Sequence, residues 1–129
     1  TPAARDLFIC LDTSGGTLGE LQLEWFTTLL AEQRDAYRHC IVVTHNNLLR
    51  LRPTLSTNPH VDEIQVLLDL FTRHRVDMVI NGHDHIRNHT KFGTTTYIIM
   101  DALIDSNKKA SYLKLKVTAD EIDFSFQSL

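Results

Sequence analysis

The run from His39 to Thr44, HCIVVT, is almost wholly apolar, and it constrains the fold more than any other feature of the chain. A strand with no polar face must be covered on both sides, which points to a sheet held between layers. The neighbouring segments agree. Asp6 to Leu11 (DLFICL) is a short run of strand formers, closed by the turn cluster Asp12-Thr13-Ser14-Gly15-Gly16. Thr17-Leu18-Gly19-Glu20 then has the spacing of a capping box. Leu21, Trp25 and Leu29 follow at helical spacing, widened by Phe26 and Leu30, and predict an amphipathic helix from about Leu18 to about Arg34. A polar stretch runs from His45 to about Asn58. Asn58-Pro59 can open a second helix, with Ile64, Leu67, Leu68 and Phe71 on its buried face. Val76 to Ile80 (VDMVI) is a third strand, ending at Asn81-Gly82.

Strand–helix–strand–helix–strand favours parallel pairing with right-handed crossovers. The pattern then changes. Thr95 to Met100 is a strand with no helix before it. Leu113, Leu115 and Val117 alternate with Lys114, Lys116 and Thr118, and Ile122, Phe124 and Phe126 alternate with Glu121, Asp123, Ser125 and Gln127. Those last two stretches flank Ala119-Asp120 and predict an antiparallel hairpin with one wet face. The expected fold is α/β with a mixed sheet, parallel first and antiparallel last. At 129 residues, with no internal repeat or linker, the chain fits one domain.

Charge narrows the partners. The net charge of −3 and the absence of any run of five basic residues argue against a nucleic-acid backbone as a partner. No apolar stretch approaches the ~18 residues of a membrane span. Cys10 and Cys40 both lie in apolar runs, where each is expected to be a small buried hydrophobe; a disulfide between neighbouring strands stays open. The chain starts at Thr1 without an initiator Met, so the removal of an upstream segment is expected, and with it any signal peptide.

Chemistry enters with the histidines. His45 lies directly after one apolar strand, and His83 and His85 lie directly after another, in Gly82-His83-Asp84-His85. Sites in open α/β sheets form at the carboxyl ends of parallel strands, so the three imidazoles are expected at one edge. In extended backbone residues 83 and 85 would point to the same side. Gly82 would let the backbone turn and approach the site. Asp84, between them, is expected to form no more than an Asx-turn. Neutral imidazole suits Zn, Mn, Fe or Ni. His39, His60, His74 and His89 lack such a context.

Val43-Thr44-His45-Asn46-Asn47 together with Val79-Ile80-Asn81-Gly82-His83-Asp84-His85 resembles the last two motifs of the calcineurin-like metallophosphoesterases. Leu11-Asp12-Thr13, with Gln22 and Trp25, resembles the purple-acid-phosphatase-like branch. The resemblance runs from about Asp6 to about Asp105. It implies half of a four-layer α-β-β-α sandwich whose complete form hydrolyses phosphate esters at a binuclear centre of Mn, Fe or Zn. By position, His45 and His83 would hold one metal and His85 the other. In the loop after His45, Asn46, Asn47, Arg50 and Arg52 could meet a phosphate or its leaving group, the alternative and expected reading being solvated loop residues.

The sequence departs from the family in two ways. Asn47 stands where the family usually has Pro. The motifs Asp-x-His, Gly-Asp-x-x-Asp and Gly-Asn-His-Asp/Glu are absent from the 129 residues. No catalytic residue is therefore identifiable, and the expected metal site is partial. The chain is expected to be the C-terminal part of a longer domain, inactive alone, whose partners are a phosphate-ester substrate, the missing N-terminal half, or a second copy through exposed strands. A metallo-β-lactamase pattern fails, because it would need Asp at 87 and His at 88, where Arg87 and Asn88 stand. A non-catalytic scaffold of the same fold is the alternative function. A generic α/β domain with structural histidines is the third possibility.

Overall fold

The computed structural model describes residues 4–50, 60–104, 108 and 110–129. It contains the expected mixed α/β architecture. Strand β1 (Leu7–Cys10) leads to helix α1 (Glu20–Gln33), which continues into a 3₁₀ turn at Arg34–Ala36. Then come β2 (Cys40–Val43), α2 (Val61–Arg73), β3 (Met78–Asn81), β4 (Asn88–Phe92), β5 (Thr95–Ile99), β6 (Ser111–Val117) and β7 (Ile122–Ser128). The first five strands form one sheet in the order β1-β2-β3-β5-β4, and β6 and β7 form a separate two-stranded sheet. Within the five-stranded sheet β1, β2, β3 and β5 are parallel and β4 is antiparallel to β5; β6 and β7 are antiparallel to each other.

Each face of the five-stranded sheet has its own apolar cluster. On one, Ile9, Val42, Val79 and Tyr97 meet Phe26 and Leu30 of α1 and Leu67, Leu70 and Phe71 of α2. On the other, Ile41, Met78 and Ile98 meet Leu113, Leu115, Phe124 and Phe126 of the hairpin. That second layer is why HCIVVT has no polar face. The hairpin sits off-centre: Phe124 of β7 packs on His89 of β4, with ring centroids 5.1 Å apart, and His39, just before β2, hydrogen-bonds the Thr118 carbonyl at the hairpin turn (3.0 Å). β1 is left uncovered on this side, so Phe8 is 57% exposed.

Several expectations need correction. α1 is turned relative to the predicted stripe: Leu21 is 84% and Trp25 50% exposed, whereas Phe26 and Leu30 are buried and Leu23 and Leu29 pack partly against them. Apolar residues occur on more than one side of this helix, so spacing allowed two stripes, and the sheet selected the one containing Phe26 and Leu30. The capping box does not form either. Gly19 is the N-cap, with φ 75° and no side-chain cap. The Thr17 hydroxyl instead donates to Glu63 of α2, whose carboxylate also accepts the Leu18 N–H at 2.7 Å. The start of α1 is thus fastened by another helix rather than by its own first turn.

The cysteines part company. Both are free; Cys40 is buried, and burial pushes its thiol up to about 12, but Cys10 is exposed on the same uncovered face as Phe8. β4 (NHTKF), wholly exposed and without alternation, is a strand the sequence did not announce. It explains how β5 becomes parallel to β3 without a helix: the chain crosses to the sheet edge, descends as β4, and returns through the two-residue turn Gly93-Thr94, with Gly93 at φ 61°. The predicted opening of α2 at Asn58-Pro59 lies outside the described residues; within them α2 is preceded by His60 at the N-cap. No helix among the described residues is long and apolar enough to cross a membrane.

Candidate metal centre

The carboxyl ends of β2 and β3 lie side by side, and their ladder continues one step past both strands. Thr44 N–H donates to Ile80 O (2.9 Å), and Gly82 N–H donates to His45 O (2.9 Å). The two histidines that follow are thereby brought together. Nδ1 of His83 lies 2.9 Å from Nε2 of His45, and the rings meet edge to face with centroids 4.9 Å apart. His45 is exposed and His83 half-buried.

The loop carrying His45 is set by Thr13, a residue that the sequence singled out in a turn and in the Leu11-Asp12-Thr13 resemblance but without a role. Its buried hydroxyl accepts the N–H of Asn46 (2.9 Å) and of His45 (3.2 Å) and pairs with the Thr44 hydroxyl at 2.8 Å. The Thr13 carbonyl accepts the Asn46 carboxamide. Gln22 of α1 steadies the preceding turn, exchanging bonds with the Asp12 backbone, both 2.8 Å. Asn46 and Asn47 are both buried. Asn47 Nδ2 donates to Asp84 (2.7 Å), and its Oδ1 accepts the Leu49 N–H (3.0 Å). Arg50 donates to the other Asp84 oxygen. Arg52 lies outside the described residues.

The loop after β3 differs from expectation. Residues 83–85 are not extended: His83 has φ 68° and His85 φ 52°, both left-handed. Gly82 is not, and a Cβ there would meet only the His45 carbonyl at 3.9 Å, an ordinary contact. The backbone therefore turns at the histidines, not at the glycine. His85 is exposed, close enough for its charge to act on His83. Asp84 does more than form an Asx-turn, because its carboxylate crosses to the other loop. Burial raises its pKa, but the bonds from Asn47 and Arg50 and the guanidinium charge outweigh that and hold it below the ordinary carboxylate value. Burial lowers the pKa of His83, helped by the charges of Arg50 and His45.

These facts suit a divalent ion in donor type. Neutral imidazole is the ligating form, and the surroundings of His83 favour it. Two nitrogens on one tetrahedral zinc lie about 3.3 Å apart, from bond lengths of ~2.0–2.1 Å; the two here are 2.9 Å apart as hydrogen-bond partners, so ligation would require the shared proton to leave and both rings to swing their lone pairs toward the ion. Among the described residues, no group of three or more His, Cys, Asp or Glu side chains is placed to hold a metal. Two donors converge; a full coordination sphere does not.

No protein-family model matches the chain. No curated protein matches it in sequence. Its fold does match solved structures. GAP50, described as the anchor in the inner membrane complex of Plasmodium, superposes with a TM-score of 0.76 at 17% identity, over 95% of this chain and 45% of that one. This chain thus spans less than half the length of that protein. A protein from Streptococcus pneumoniae described as a predicted phosphoesterase aligns over 94% of this chain and 88% of its own, at 10% identity and a TM-score of 0.42. A TM-score of that size carries no argument; the likeness to GAP50 shows the fold.

Proposed function

We propose that the chain contributes the histidine-bearing half of a metal-dependent phosphoric-ester hydrolase. His45 and His83 would hold one divalent ion, and His85 would reach a second. The observation that carries this reading is the meeting of His45 and His83 across two strand ends, with the surroundings of His83 favouring the neutral ring. Manganese, iron or zinc would fit these donors. When bound, such ions neutralise phosphoryl charge and supply a nucleophile at neutral pH. This chain's own residues would position the ligands: Thr13 and Asn46 set the loop of His45, and the β2–β3 ladder carries the other chain segment as far as Gly82, next to His83. Further ligands would come from a second half-domain, so the chain alone should turn over little phosphate ester.

The second reading is a non-catalytic scaffold, favoured by the fold match to a protein described as an anchor. Counting bound metal separates the two. After loading with Mn²⁺ or Zn²⁺ and removal of excess, at most one weakly held ion per chain is expected, lost in the His83→Ala/His85→Ala variant. Two tight ions would overturn the partial site. No ion, or a count that the substitutions leave unchanged, would favour the scaffold.

The uncovered surface supports a partner that would cover it. Among the described residues, β1, β4, β6 and β7 each have an open edge, and Phe8 is exposed beside the hairpin. Unpaired edges and apolar surface favour association, with the other half-domain or with a second copy. Sedimentation should show concentration-dependent dimers or larger species; a monomer throughout the micromolar range would refute self-association.

A further inference from the structure

Asp84 stands between two candidate ligands but faces neither. Its Oδ2 accepts the Asn47 carboxamide N–H at 2.7 Å, and its Oδ1 accepts the Arg50 guanidinium. The ion pair is well shielded, with side-chain exposures of 5% for Arg50 and 13% for Asp84. Both partners belong to the loop after β2, the one that carries His45. Asn47 in turn accepts the Leu49 N–H, which holds the turn between it and Arg50. The sheet cannot do this work, because its ladder ends at Gly82. Beyond that point the backbone takes left-handed conformations at His83 and His85, which nothing in the strand imposes.

We propose that Asp84 is a positioning residue: by gripping Asn47 and Arg50 across the gap, it fixes the loop of His83 and His85 against the loop of His45 and sets how closely the two rings approach. The proposal deepens the metal-centre reading and rests on it for its consequence in metal affinity. The ring contact itself can be tested without metal. Two bonds from one carboxylate to two residues of the opposite loop restrain both translation and rotation, as a single bond would not. A carboxylate is suited to the task because it accepts a carboxamide and a guanidinium at once, and charge-assisted bonds of this kind are the stronger ones.

The test compares the wild type with Asp84→Ala, Asp84→Asn and Asn47→Ala. In the metal-free protein, ring ¹⁵N chemical shifts and couplings report the His45 Nε2–His83 Nδ1 hydrogen bond. In parallel, Zn²⁺ affinity is measured by competition with a chelator, and melting curves identify variants that fail to fold. Asp84→Ala is expected to lose the ring contact and to weaken Zn²⁺ by about 10- to 100-fold, as when groups that orient metal ligands are removed. Asp84→Asn retains one acceptor and should recover part of both. If Asp84→Ala does not fold, Asn47→Ala, which removes one of the two bonds, should still loosen the ring contact. A folded Asp84→Ala (or, in its place, Asn47→Ala) with the contact unchanged overturns the proposal. Absence of Zn²⁺ binding in the wild type would sink the metal reading alone, and the ring contact would then decide on Asp84.

Discussion

Replacing Phe71 by alanine should destabilise the protein by about 3–5 kcal/mol, the range for truncating a buried phenylalanine. Phe71 is fully buried and joins three elements. Its ring meets that of Phe26 in α1 edge-on, with centroids 6.0 Å apart at 72°, and lies 6.3 Å from that of Tyr97 in β5. Truncation would leave a cavity under both helices at once, where neither can collapse without leaving the sheet. Domains are typically stable by about 5–15 kcal/mol, so the variant would lose about a fifth or more of that margin, and Tm would fall by roughly 10–20 °C. Phe71→Leu, which keeps most of the volume, should cost about half as much. Urea unfolding followed by circular dichroism measures both. A loss below about 1 kcal/mol for Phe71→Ala would mean that α2 does not pack as described.

The second large effect is expected at the amino ends of β2 and β3, where a charge is buried. Arg34, with 8% of its side chain exposed, donates to Asp77 at 3.0 Å, to the Arg75 carbonyl at 2.9 Å and to the Tyr37 carbonyl at 2.8 Å. The same Asp77 oxygen accepts the Cys40 N–H at 2.8 Å. Asp77→Ala would strand a guanidinium among carbonyls and leave the first amide of β2 without its acceptor. Breaking a buried pair from one side costs about 3–5 kcal/mol; Asp77 is 35% exposed, so water repays part and about 2–4 kcal/mol is expected. Arg34→Met removes the charge rather than isolating it and should be milder. In Arg34→Met/Asp77→Ala the total should fall at least about 1 kcal/mol short of the sum of the single effects, the signature of coupled neighbours. Strict additivity would show that the pair contributes nothing as a pair.

What the sequence disclosed and what it hid follow from how each residue is held. HCIVVT and VDMVI announced β2 and β3 because a strand covered on both faces has little choice of side chain. The hairpin was legible for the opposite reason, since Leu113 to Val117 and Ile122 to Phe126 alternate along one wet face. The meeting of His45 and His83 followed from their places at adjacent strand ends. β4 was hidden because NHTKF, exposed throughout, has no face to declare. The turn of α1 was hidden because two apolar stripes compete on one helix and the choice belongs to the sheet. Asp84 was hidden because its partners Asn47 and Arg50 lie 37 and 34 residues away, and local spacing does not report a bond made across that interval.

The left-handed backbone at His83 and His85 has one more consequence. A side chain in that region costs on the order of 1 kcal/mol or more relative to glycine. Glycine at both positions would therefore make a calmer loop, and the same substitutions would remove both imidazoles. Stability and chemistry pull in opposite directions at these two residues, and a chain refined for durability alone would have no reason to keep histidine at either.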